Sequence, residues 1–185
     1  MTELDHRERV AIARLRALLE LLPTELDRQF AETGITSFEF TLLEALHDAP
    51  DHTLRLSALA SRTNATLPRL SRVMNSLERK QLVVRAACAG DKRATNAILT
   101  DAGLDMYRRC VPLHTEAVRT KILAGLGEDG ATRLADVAYA ILSVLDTDRA
   151  LSVTAEEVCA ADPVDAAVPA CPADPAPPER AAHAR

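Results

Sequence analysis

The sequence predicts a mainly α-helical chain with a small β wing, on three observations. Hydrophobic residues make up 48% of the 185 positions but aromatics only 3%, so the core must be built from Leu, Val and Ala. Such a core suits packed helices better than a β-sandwich. Only 6 glycines punctuate the chain, which fits long helices with few tight turns. Two short β-prone runs, Leu82 to Ala87 and Thr95 to Leu99, flank a glycine-bearing loop near the middle.

Residues 7–31 read as a helix. Leu15, Leu18, Leu19, Leu22 and Leu26 recur at helical spacing. Pro23 should kink it or split it near Leu22, and Gly34 should end it. Thr36 and Glu39 form a capping-box pattern ahead of Phe38, Leu42, Leu43 and Leu46. That second helix should stop before Asp48-Ala49-Pro50.

Residues 54–56 look like a very short strand. Ser57 is placed to cap a short helix ending near Thr63, and Asn64-Ala65 to make a tight turn. Thr66 can cap the next helix, with Pro68 in its first turn, where proline is tolerated. Leu70, Val73 and Leu77 form its buried edge. Short helix, turn and second helix are the helix-turn-helix pattern. The two β-prone runs follow, joined by a loop from Cys88 to Ala94, so the hairpin reads as a wing.

Thr100-Asp101 caps a long helix to about Leu123, with Leu104, Tyr107, Val111, Val118 and Ile122 apolar and Pro112 expected to bend it. After a break at Gly125 to Gly130, residues 131–147 read as a last helix carrying Leu134, Val137, Ala138, Ile141, Leu142 and Leu145. From about Leu151 the chain holds six of its ten prolines and many alanines; such a stretch is expected to be disordered. The expected organisation is a 1–150 domain and a 151–185 tail. Within the domain a winged lobe spans about 53–100. The helices at about 7–31 and 101–147 have broad apolar stripes and should pack across a two-fold axis of a homodimer.

Charge is unevenly distributed. The whole chain is at −5, yet residues 52–100 carry nine bases against two acids, +7, and the rest 13 bases against 25 acids, −12. A basic stretch in an acidic protein is the footprint of a surface that neutralises phosphates; an ordinary solvated charged face is the competing reading. No apolar run approaches the roughly 20 residues of a membrane span, and the charged start lacks a signal-peptide stretch, so a cytoplasmic protein without a membrane partner is expected. The widely spaced Cys88, Cys110, Cys159 and Cys171 read as free thiols. No nucleophile–base pair, metal cluster or phosphate-binding glycine loop appears, so no enzyme activity, metal or cofactor is expected.

The runs Leu56-Ser57-Ala58-Leu59-Ala60 and Thr66 to Val83 resemble the MarR family of bacterial regulators. So does Asp91-Lys92-Arg93-Ala94, followed by a strand and then Leu99-Thr100-Asp101-Ala102-Gly103. The likeness covers about residues 7–147. It implies a homodimer with interlocked first and last helices, binding of a short DNA palindrome, usually as a repressor, and in many members release by a small phenolic or other aromatic ligand. Gln81 departs from the pattern, which usually has glycine there. A positive φ at this position would cost glutamine on the order of 1 kcal/mol.

With Leu70, Val73 and Leu77 inward, the second helix of the motif leaves Pro68, Arg69, Ser71, Arg72, Asn75 and Ser76 for double-stranded DNA. Arginine can pair bidentately with guanine and asparagine with adenine; Ser71 and Thr66 suit phosphate or base contact near the helix start. Arg69 and Arg72 are the leading candidates, with a surface pair to Glu78 or a plain phosphate contact as the alternative. Arg93 is the wing-tip candidate for a narrow minor groove. By resemblance Asp91 braces it with a salt bridge, and Lys92 meets phosphate. Arg55, Arg62 and Arg85 read equally as backbone contacts or solvated charges. By resemblance an effector site lies between the dimer helices and the lobe, with Phe30, Phe38, Phe40, His47, Met106 and Tyr107 as candidate lining; apolar residues at such spacing are more often core. The leading functional reading is a ligand-responsive dimeric repressor. The alternatives are an effector-independent activator or architectural protein, a regulator sensing redox through Cys88, and a winged-helix protein-interaction module.

Overall fold

Residues 3–88 and 91–146 are described in a computed structural model of the chain, as six α-helices around a small antiparallel sheet. Helix α1 spans His6–Arg28 and starts at a reciprocal cap, Asp5 and Glu8 each accepting from the other's backbone N–H. Of the kink or split expected at Pro23, the split does not occur, and the helix continues through it. The carbonyl that proline leaves unpaired belongs to Leu19, which is 66% exposed, so water can satisfy it. The helix ends at Arg28, three residues early; Gly34, at φ +75°, closes the turn that follows.

Helix α2, Ser37–His47, has the expected Thr36–Glu39 capping box and stops at Asp48. Strand β1 is Thr53–Arg55, α3 Leu56–Arg62 and α4 Leu67–Arg79. Arg55, not Ser57, occupies the N-cap of α3, and no side chain caps that helix. Thr66 is the N-cap of α4, but its side chain makes no capping bond. The buried edge of α4 is Leu70, Met74 and Leu77, with Val73 only half-buried. Positions 70, 74 and 77 lie on one stripe, and the flexible Met74 fills the space at its centre.

Strand β2, Val83–Cys88, pairs antiparallel with β3, Asp91–Leu99, which also pairs with β1, in the order β1-β3-β2. The expected loop at 88–94 is therefore shorter. Residues 91–94 are strand, with a register irregularity between Ala87 and Cys88. Asp91 pairs with Cys88 and Thr95 with Ala87, so the strand carries residues 92–94 across the irregularity although Asp91, Lys92 and Arg93 have little β preference. Ala89 and Gly90 lie outside the described residues.

Helix α5, Asp101–Lys121, is capped by Thr100, whose hydroxyl accepts from Gly103 N–H, and it runs through Pro112. Its first turn sits on the end of the preceding β2 connection. A Cβ on Gly103 would stand 2.0 Å from the Leu82 carbonyl oxygen. Helix α6 is Gly130–Leu145.

One core joins α2, α3, α4, the sheet and the first half of α5, through Leu42, Leu43, Leu46, Leu59, Leu70, Met74, Leu77, Val83 and Cys110. The outer helices are different. No residue of α1 is buried, and in α6 only Gly130 is. Leu18, Leu21, Val137, Val144 and Leu145 are exposed. No helix among the described residues is long and apolar enough to cross a membrane. The 151–185 tail lies outside the described residues.

Candidate nucleic-acid interface

The α3–α4 turn is tight. Asn64 adopts φ +52°, and Ala65 N–H donates to the Ala60 carbonyl at 2.9 Å. This seats α3 in the core through Leu59 and Ala60 and turns the far face of α4 outward. Thr66, Pro68, Arg69, Ser71, Arg72 and Asn75 are all exposed on α4 and its cap, and Ser76 is half-buried. The helix thus carries one apolar edge and one polar face, as the spacing predicts.

The polar face is partly organised from within the protein. The Arg69 guanidinium carbon lies 4.0 Å from the Phe38 ring centroid. Arg72 has no hydrogen bond or ion pair among the described residues. Arg85, on β2, donates to Asn75 Oδ1 at 2.7 Å and to the Ser71 carbonyl at 3.1 Å, and pairs with Glu78 at 3.0 Å. Glu78 therefore pairs with Arg85, not with Arg69 or Arg72. Arg85 is a strut between β2 and α4, a role the charge reading missed. Alternation was the available signal: Val83 is buried, and Arg85, two residues on, shares its face.

Other basic residues are tied inward too. Lys80 Nζ stands 2.7 Å from both oxygens of Glu39, a carboxylate that is 3% exposed. Arg62 meets Asp48 at 3.3 Å. Arg55 lies 3.9 Å from Cys88 Sγ. Cys88 is disulfide-bonded, which corrects the free-thiol expectation for it; Cys110 is free and buried, and burial pushes its thiol pKa up. The backbone of Asp91, Lys92 and Arg93 belongs to β3. Their side chains, and with them the expected Asp91–Arg93 brace, lie outside what is described.

Of the six residues named for an effector, four meet in an aromatic stack between α2, α5 and the end of α1. Phe30 and Phe40 are buried, 5.3 Å apart; Phe40 is 5.7 Å from Tyr107, and Tyr107 is 4.3 Å from His47. Phe38 lies under Arg69, and Met106 packs against Cys110, 3.8 Å away between sulfurs. His114, not anticipated, stacks on Phe30 at 6.4 Å and lies tilted against Phe40 at 4.7 Å; its Nδ1 is buried without a partner among the described residues, and burial holds its pKa below the usual value. An open cleft of about 480 Å³ lies beside the stack, between Arg28, Gln29, Glu32, Thr33, Arg109 and Leu113, and none of the six lines it. Met106 borders a second, of about 350 Å³.

The MarR family profile matches residues 33–94. Among solved structures, the chain is similar to Sco3205, a MarR family transcriptional regulator from Streptomyces coelicolor in complex with DNA. The two are 31% identical with a TM-score of 0.76, covering 79% of this chain and 92% of that one. AbsC, a MarR family regulator of the same organism, is 27% identical at a TM-score of 0.75, covering 80% and 99%. The HTH-type transcriptional repressor YetL of Bacillus subtilis is 32% identical over 89 residues; the match spans 48% of this chain and about half, 53%, of that relative.

Proposed function

The chain belongs to the MarR family of transcriptional regulators, and from that premise we propose a homodimeric repressor that reads a palindromic operator and responds to a small aromatic or phenolic effector. The observation that carries the DNA-reading half is the α4 face, where Thr66, Pro68, Arg69, Ser71, Arg72 and Asn75 stand exposed opposite Leu70, Met74 and Leu77. It lies within the +7 segment. Arg72 is the leading reader in the major groove, since nothing in the described protein holds it back. Arg93 reaches the minor groove from the wing, braced by Asp91, with Lys92 on phosphate.

The apolar faces of α1 and α6 support the dimer, because contiguous apolar surface of this kind is covered in stable proteins. Two copies would place two α4 helices on successive turns of one groove, which a palindrome matches. The winged lobe is then about 53–100, and the dimerisation helices about 7–31 and 101–147. Repression is favoured by the likeness to YetL, and the effector by the family resemblance. Such a protein works beside the chromosome, in the cytoplasm.

The test is a gel-shift titration on the promoter region upstream of the protein's own gene. Wild type should bind with a steep salt dependence. Arg93→Ala should bind more weakly with a slope flatter by about one. Unchanged binding and slope would sink the DNA-reading claim.

A further inference from the structure

Arg85 holds three groups of α4 at once: the Ser71 carbonyl, Asn75 Oδ1 and the Glu78 carboxylate. They stand four and three residues apart, along one strip of the helix, so one planar guanidinium can span them. Its side chain is 24% exposed, too enclosed and too occupied to serve as a free phosphate contact.

The consequence falls on Asn75. Arginine has only donors, so the amide must turn its oxygen to Arg85 and its NH₂ away. An asparagine that reads adenine needs both ends, the oxygen for N6–H and the nitrogen for N7. Here the oxygen is engaged at 2.7 Å by a cation. A second lone pair remains on it, but a base donor reaching it would approach alongside positive charge. What Asn75 presents is a pair of N–H donors backed by a guanidinium, and the base edge with two adjacent acceptors is guanine, O6 and N7.

We propose that Arg85 is a specificity-determining positioning residue, which turns Asn75 from an adenine reader into a guanine reader. The inference rests on the DNA-reading role of α4 proposed above. It goes beyond that role by naming the base and the residue that sets it.

Selection from a randomised duplex library with the full chain tests it. Wild type, Asn75→Ala, Arg85→Met and Arg85→Lys are compared, each checked for folding by thermal melting. Asn75→Ala should lose preference at one base pair per half-site, and in wild type that pair should be G·C, with a change to A·T weakening binding about fivefold or more. Arg85→Met should shift that pair toward adenine and leave other positions as they were. Arg85→Lys, which keeps a cation near Oδ1, should retain guanine. An adenine at the Asn75-dependent pair of wild type, an Asn75→Ala motif identical to wild type, or guanine retained by folded Arg85→Met overturns the proposal. If Arg85→Met does not fold, the comparison of wild type with Asn75→Ala decides alone. A wild type that enriches no motif would instead remove the DNA-reading role beneath it.

Discussion

The guanidinium of Arg69 lies over the ring of Phe38, 4.0 Å from its centroid, and so joins the first turn of α4 to the first turn of α2. The next residue of α2, Glu39, binds Lys80 at the other end of α4. Two neighbouring residues of α2 therefore grip both ends of α4. Phe38→Leu should keep the apolar contact and lose the ring. It should lower stability by about 1 kcal/mol, the size of an exposed cation–π contact, in urea unfolding. Phe38→Ala should lose about 1–3 kcal/mol, since half-buried packing goes as well.

Gln81 sits at φ +60° between α4 and β2. An L-residue is strained there, and glycine is not. Gln81→Gly should raise stability by about 1 kcal/mol, read as a higher urea midpoint with an unchanged slope. Gln81→Val should lower it, because branching at Cβ worsens the same clash.

Gly103 lets the first turn of α5 close on the Leu82 carbonyl, where a Cβ would stand 2.0 Å from that oxygen. Backbone cannot give way as a side-chain end can. Gly103→Ala should cost about 3 kcal/mol or more, measured by thermal or urea unfolding. Gly125→Ala, in open space, should change little.

Burial lowers the His114 pKa from its ordinary 6.5. The unfolded chain then binds the proton more readily than the folded one between the two values. The stability that neutral His114 contributes is present above pH 6.5 and is lost as the pH falls through that window. His114→Phe fits the same stack on Phe30 and Phe40 and cannot titrate. It should flatten the fall in stability from pH 7 to pH 5.5, followed by urea midpoints; an unchanged slope would contradict the assignment.

Much of this was legible because the signals are local. The Thr36–Glu39 box, the Thr100 cap, Pro68 at the start of α4 and the positive φ of Gln81 each depend on a few neighbouring residues. What was not legible depends on partners distant in sequence. β3 begins at Asp91 because β2 is there to pair with it. Pro23 stays helical because its turn faces outward. Arg85 is taken by Ser71, Asn75 and Glu78, 14, 10 and 7 residues away, and its charge alone could not separate a strut from a phosphate contact. His114 enters the stack through an α5 register that aligns it with Phe40 and Phe30. For the candidate site, the outward face of α4 was readable from spacing. Which of its arginines is already engaged was not.

On the proposed reading, the exposed face of α4 reads sequence, with Arg72 first. Equilibrium titration by fluorescence anisotropy tests it, with wild type and Arg72→Ala on the promoter duplex and on an unrelated duplex of equal length at one salt concentration. Arg72→Ala should lose about tenfold or more on the promoter and only a little on the unrelated duplex. Equal affinity of the two proteins for the promoter would contradict it.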